Sequence, residues 1–165
     1  PNGADVTWIK DVKPYAEEVI GKIRNIDKDS IIIVGTPTWS QDVDIVADNK
    51  IDNYSDIMYA LHFYADTHKE QLRAKLTSAI EKNLPVFVSE FGISSADGNG
   101  NINKDEGDIW INLLNDYNIS WVCWNLSNKN EASALLKNTC KKLYNFETED
   151  LSQEGVWLLE KLKDS

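Results

Sequence analysis

Four short apolar runs alternate along this chain with amphipathic stretches, and that alternation limits what it can fold into more than any other feature. The runs cover residues 30–35, 57–64, 85–91 and 119–125. Each is rich in β-branched or aromatic side chains and bounded by turn-forming residues, as short strands are. Ile31-Ile32-Ile33-Val34 is wholly apolar and reads as a strand covered on both faces. In the second run, period two sets Met58, Ala60, His62 and Tyr64 on one face. A helix is expected over about residues 14–24, with Pro14 at its first position and an apolar stripe of Tyr15, Val19, Ile20 and Ile23. Residues 41–47 fit a short helix. Thr67 and Glu70, then Asn103 and Glu106, have capping-box spacing ahead of two longer helices. A last helix follows Ser152 with Val156, Trp157, Leu159 and Leu162 as its apolar face. Strands alternating with amphipathic helices predict an α/β fold with a parallel sheet and helices outside. Residues 1–10 read as irregular, with a turn-like start at Pro1-Asn2-Gly3.

Composition narrows the function. A chain of 165 residues can bury one core. Its net charge of −10 argues against nucleic acid as a partner, because phosphate binding wants a basic patch. No run approaches the roughly 18 apolar residues of a membrane span, so no membrane partner is expected. Cys123 and Cys140 make neither a disulfide framework nor a zinc-ligand spacing, and they read as buried apolar thiols. No strand is followed by a glycine-rich nucleotide fingerprint. Six Trp and six Tyr stand against four Phe, a bias toward aromatics with a polar edge, which suit sugar faces as well as cores.

Chemistry gathers in Val86-Phe87-Val88-Ser89-Glu90-Phe91-Gly92. Strict alternation puts Val86, Val88 and Glu90 on one face and Phe87, Ser89 and Phe91 on the other. A carboxylate in such a row is costly unless paired, hydrogen-bonded or used. Its plain alternative is a strand-end Glu reaching solvent. Trp39, His62, Tyr64 and Trp124 also fall at or just past the C-terminal ends of strands, the face where (β/α)₈ barrels place their active sites. Singly, His62 fits a satisfied core histidine, Tyr64 a packing residue and Trp124 either core or platform. Jointly they suit sugar chemistry, with indoles stacking on pyranose faces and a carboxylate facing an anomeric carbon. The loop over residues 92–104, rich in Ser, Asp, Gly and Asn, reads as an exposed functional or flexible loop.

These stretches are recognisable. The segments Ile33-Val34-Gly35-Thr36-Pro37-Thr38-Trp39-Ser40-Gln41-Asp42, Tyr59-Ala60-Leu61-His62-Phe63-Tyr64-Ala65, Val88-Ser89-Glu90-Phe91-Gly92 and Trp121-Val122-Cys123-Trp124-Asn125-Leu126 resemble the C-terminal half of glycoside hydrolase family 5 cellulases, the bacterial endoglucanase branch. The resemblance implies strands five to eight of a (β/α)₈ barrel, so that residues 1–165 form a half barrel from a catalytic domain. It implies Glu90 as the retaining nucleophile, with His62 and Tyr64 holding it and the sugar. Trp39 and Trp124 then look like subsite platforms, His68 a cleft residue, and Lys129 and Glu131 sugar-hydroxyl contacts, although a solvated charged loop explains the last two equally well. It further implies a secreted, extracellular enzyme acting on β-glucan without metal or organic cofactor. The family's general acid/base lies in Asn-Glu-Pro at the end of strand four, and Pro1-Asn2-Gly3-Ala4-Asp5 looks like the residues that follow that Glu. On this reading the nucleophile is present, the acid/base is not, and the chain alone is inactive. A half barrel would then sit against a complementary N-terminal half or a second copy of itself. The alternative is a non-catalytic sugar-binding or self-assembling module.

Overall fold

The sheet has the order β1-β2-β3-β4, with β1 at Ile32–Val34, β2 at Ile57–Tyr64, β3 at Val86–Gly92 and β4 at Trp121–Cys123. The computed structural model describes residues 5–163, so the turn expected at Pro1-Asn2-Gly3 lies outside the described residues. The strands are parallel and alternate with helices, the α/β order expected from the sequence. β1 pairs with β2 in parallel, Ile32 opposite Ile57 and Val34 opposite Tyr59. The helices are α1 (Lys13–Arg24), α2 (Pro37–Ser40), α3 (Val43–Ala47), α4 (Glu70–Glu81), α5 (Lys104–Asp116) and α6 (Gln153–Lys163). Among the described residues no helix is long and apolar enough to cross a membrane.

The chain divides into two compact units. One runs to His62 and adds Glu70–Ser89, and the other comprises Phe63–Lys69 and the chain from Glu90 onward.

In the first unit, residues 8–12 are helical rather than irregular. Trp8–Val12 is a π-helical turn capped by Thr7, whose hydroxyl accepts from the Lys10 N–H. Tertiary contact explains it: Trp8 is fully buried, meets Tyr59 edge-on and donates its indole N–H to the Asn49 carbonyl at 2.8 Å. α1 buries Ala16 and Ile20, while Tyr15, expected in the stripe, is exposed. β1 is covered on one face only: Val34 is buried, but Ile31 and Ile33 are 61% and 42% exposed. The double covering expected of this run is therefore corrected.

In the second unit the core is aromatic. Phe63 stacks on Trp110 of α5 at 3.9 Å and on Phe91 at 5.0 Å, and Trp121 meets Phe91 edge-on. Such pairs contribute about 0.5–1.5 kcal/mol each beyond their burial. Asn103 caps α5 as expected, accepting from the Glu106 N–H. Ser152 accepts from the Gly155 N–H at the start of α6. α6 buries Glu154, Gly155 and Trp157, whereas Leu162 of the expected face is exposed. Thr67 does not act as the expected capping-box residue. Its hydroxyl accepts from the Ala96 N–H and so ties down the loop after β3. Asp66 holds the same loop through Ser95 Oγ at 2.8 Å and Asn103 Nδ2 at 3.1 Å, and these bonds keep its carboxyl below the usual range. Both cysteines are free, Cys140 buried and Cys123 half-buried.

Candidate active site

Glu90 owes its position to an extra residue in β3. Tyr59 N–H donates to the Pro85 carbonyl, and Ala65 N–H donates to the Gly92 carbonyl. The donors are six positions apart in sequence but the acceptors are seven apart, which defines a bulge in β3. The contacts agree: Ser89 Oγ lies 2.8 Å from His62 Nε2, and Glu90 Oε1 accepts from Tyr64 Oη at 2.8 Å. Two consecutive residues of β3 thus meet side chains from one face of β2. Past the bulge, Phe91 is buried against Phe63. The alternation expected of this strand is corrected: Ser89 and Glu90 share a side, and Phe91 takes the other. Bulges commonly re-aim one side chain beside a functional site, as this one does.

Tyr64 is 9% exposed. Burial, then the hydrogen bond to Glu90 and the charge of that carboxylate, pushes its phenol well above the ordinary value, so it stays a proton donor. Its backbone is set by His68, whose Nδ1 accepts the Tyr64 N–H at 2.8 Å, while the His68 carbonyl accepts from Trp110 Nε1 at 2.7 Å. A ring nitrogen that accepts carries no proton, and burial lowers the His68 pKa further. The structure therefore places His68 behind Tyr64, as the neutral residue that fixes its turn. Tyr64→Phe keeps the packing and deletes one charge-assisted bond of about 1.5–3 kcal/mol. If that bond serves the transition state, kcat falls about ten- to a hundredfold. Steady-state rates of variant and parent check it, and an unchanged kcat would deny Tyr64 a role.

Trp39 stands in the first unit on a strained turn. Thr38, Trp39 and Ser40 all have left-handed backbone angles, φ 53°, 53° and 61°. Non-glycine residues adopt that region at a cost of about 1–2 kcal/mol each. Thr38 Oγ1 donates to Asp42 Oδ2 at 2.6 Å, and Lys75 Nζ meets Asp42 Oδ1 at 2.6 Å, which holds the turn. The outcome is a Trp39 side chain 58% exposed. Strain kept to present an aromatic to solvent is characteristic of functional loops.

In the second unit, Trp124 follows β4 with its N–H on the Phe91 carbonyl at 2.7 Å and is 44% exposed. The Trp124–Asn125 peptide bond is cis. Asn125 Nδ2 donates to Glu131 Oε1 at 3.2 Å, and Lys129 Nζ lies 3.7 Å from the same oxygen. Lys129, Glu131, Asn99, Asn130 and Asn138 line an open cavity of about 470 Å³. Amides, a lysine and a carboxylate form a set suited to sugar hydroxyls. Among the described residues no group of His, Cys, Asp and Glu has the arrangement of a metal site.

Of the expected residues, the second unit joins Glu90, Tyr64 and His68, and separately links Glu131 with Lys129. His62 pairs with Ser89 in the first unit, where Trp39 also lies. The sequence reading did not pick out Ser89, Asn125 or Glu154. The signal for the last is an acid three residues before Trp157 on a helix face otherwise apolar.

An oriented carboxylate at a strand end, backed by a phenol, is the equipment of a glycoside hydrolase. A family model described as cellulase (glycosyl hydrolase family 5) matches residues 1–130, and the chain belongs to that family. It is 48% identical over 163 residues to Endoglucanase A of Butyrivibrio fibrisolvens, covering 98% of this chain and 37% of that protein. Against Endoglucanase A of Evansella cellulosilytica the identity is 44%, over 100% of this chain and 34% of the other. The solved catalytic domain of Thermobifida fusca endoglucanase Cel5A matches with a TM-score of 0.90 at 38% identity, covering 99% of this chain and 54% of that one. A variant of that domain in complex with cellotetraose gives 0.89 at 36%, over 99% and 54%. The chain thus spans little more than a third of these curated relatives and about half of the solved domains. Its solved neighbours are (β/α)₈-barrel catalytic domains, and its four parallel strands have the fold of half of one.

Proposed function

We propose that this chain is the C-terminal half of a secreted, retaining endo-β-1,4-glucanase acting on cellulose or related β-glucans. The observation that carries the reading is the 2.8 Å bond from Tyr64 Oη to Glu90 Oε1 at the bulge of β3, in a chain of family 5. In the first step a Glu90 oxygen attacks the anomeric carbon as the bond to the leaving sugar oxygen breaks and that oxygen gains a proton. In the second, water adds to the glycosyl-enzyme, gives up a proton and returns Glu90 to its carboxylate. Tyr64 orients the carboxylate in both steps. Trp39 and Trp124 are the platforms, and Lys129 and Glu131 contact sugar hydroxyls. The cellotetraose held by the Thermobifida fusca domain supports a β-1,4-linked substrate.

Both steps need a second carboxyl about 5–5.5 Å from the first to give and take the proton. On the resemblance to the family it stands at the end of strand four of the barrel and is supplied with the N-terminal half. Ile31 and Ile33 at β1, and Val122 in β4, are exposed apolar residues that such a half would cover. The purified 165-residue chain is expected to show negligible hydrolysis of carboxymethyl-cellulose, and the co-expressed upstream half is expected to restore it. Full turnover by the chain alone, sedimenting as a dimer, would sink this reading in favour of a self-assembled module.

A further inference from the structure

Glu154 is an acid in a place that suits an apolar side chain. It opens α6 three residues before Trp157, on the same helix face, and is 0% exposed. Its Oε1 accepts from the Ile93 N–H at 3.0 Å, and the Cys123 thiol lies 3.8 Å away. Its Oε2 is buried with no hydrogen-bond partner among the described residues. Full burial with only two neutral donors, both on one oxygen and with no cation among its described partners, favours the neutral acid.

The carboxyl also sits against the chain that leaves the candidate nucleophile. A Cβ built on Gly92 would lie 3.0 Å from Glu154 Oε1 and 3.0 Å from Cδ1 and Cε1 of Tyr64. The Glu154 carboxyl and the Tyr64 ring therefore both close on the space a side chain at Gly92 would fill, and that same Tyr64 holds Glu90.

We propose that Glu154 is a positioning residue for Glu90: its carboxyl grips the Ile93 N–H beneath Gly92 and fixes the exit of the bulged strand against the Tyr64 ring. The inference rests on the reading of Glu90 as nucleophile. Glu154 touches no substrate and acts through the backbone. The Ile93 bond itself favours the charged acid, so what ionisation opposes is the burial of the carboxyl. Burial pushes its carboxyl up to about 7, opposed by the Ile93 and Cys123 hydrogen bonds. The titratable groups set against it are Tyr64 from β2 and Cys123 from β4, both held protonated above their ordinary values chiefly by burial. From α5, Asp108 is engaged farther along α6 by Trp157 Nε1 and Lys161 Nζ. As pH rises through neutrality a buried charge appears on Glu154, and the cost of keeping it from water draws the carboxyl, and the Ile93 backbone it holds, out of place.

The test uses the complete enzyme. Glu154→Gln keeps an acceptor for Ile93 and cannot ionise. It is expected to hold kcat within about twofold at pH 6 and to exceed the parent severalfold at pH 8, because the alkaline loss with a midpoint near 7 disappears. Glu154→Leu removes the acceptor and is expected to lower kcat about tenfold at both pH values with KM little changed. The infrared carbonyl band of a protonated carboxyl, absent from Glu154→Gln, should titrate near 7 whatever the catalytic role. A pH profile in Glu154→Gln identical to the parent's, or a Glu154 band that titrates in the ordinary carboxylate range, overturns the proposal. Activity surviving in Glu90→Gln overturns the nucleophile reading, and the positioning role with it, even where the Glu154 band still titrates near neutrality.

Discussion

Replacing Glu90 by Gln is expected to remove turnover, by on the order of ten-thousand-fold or more, while the protein stays folded. The substitution keeps shape and the acceptor for Tyr64 Oη, so the 2.8 Å bond survives in form. What goes is the anionic oxygen that forms the bond to the anomeric carbon. In a retaining glycosidase no second group in the site can replace that oxygen, because the other carboxyl lies on the leaving-group side. Initial rates on soluble cellulose, measured with the complete enzyme, give the loss. Two further readouts separate a nucleophile from a residue that merely shapes the cleft. Glu90→Ala leaves space for azide, which should restore glycosyl transfer and yield a product of inverted anomeric configuration. In the parent enzyme a slow fluorosugar substrate should add its glycosyl mass to the peptide carrying Glu90. A Gln variant that hydrolyses within tenfold of the parent would end the reading.

The same strand shows what the amino-acid sequence carries and what it does not. Its position, its apolar character and the presence of Glu90 at its end are local properties, and they read correctly. So do the bounds of β2, where Met58, Ala60, His62 and Tyr64 share a face and Tyr64 does meet Glu90. The extra residue in β3 is not local. Nothing in Val-Phe-Val-Ser-Glu-Phe-Gly differs from a regular strand, and the bulge exists because the Pro85 and Gly92 carbonyls answer donors fixed by β2. The turn around Trp39 is similar. Thr-Trp-Ser contains no glycine to announce left-handed angles, and Lys75, far along the chain, helps hold Asp42 against Thr38. Helix faces failed at their margins for a simpler reason. An apolar stripe predicts which face is inward but not how wide a surface meets it, so Tyr15 and Leu162 end in solvent. Glu154 escaped because its role depends on Gly92 and Ile93, which stand far from it in sequence.

The largest effect on stability is expected from Gly155→Ala, with the opposite sign to the usual one. In the interior of a helix, Ala is favoured over Gly by about 1 kcal/mol, because it loses less backbone entropy. Gly155 lies in α6, and its φ is not in the left-handed region, so helix propensity alone predicts stabilisation. Packing reverses that. A Cβ at Gly155 would overlap the Leu135 carbonyl oxygen and lie 3.1 Å from its carbon. The oxygen is backbone and cannot rotate away. It also accepts the Ser152 N–H at 2.9 Å, and Leu136 pairs with Leu151 alongside, so retreat would break the attachment of the loop before α6. The other escape, lifting α6, would pull Glu154 from Ile93 and Trp157 from Phe91. Overpacking against a fixed neighbour costs about 1–3 kcal/mol or more, and a backbone contact this short belongs at the upper end. A net loss of about 2–3 kcal/mol is expected after the gain in helix propensity. Urea unfolding of the complete enzyme followed by tryptophan fluorescence measures it, and an Ala variant as stable as the parent would show that α6 and the Leu135 backbone are not held this closely. Lifting α6 also slackens the grip of Glu154 on the strand that carries Glu90, so Gly155→Ala should lower kcat as well as stability, although the residue contacts no part of the candidate active site.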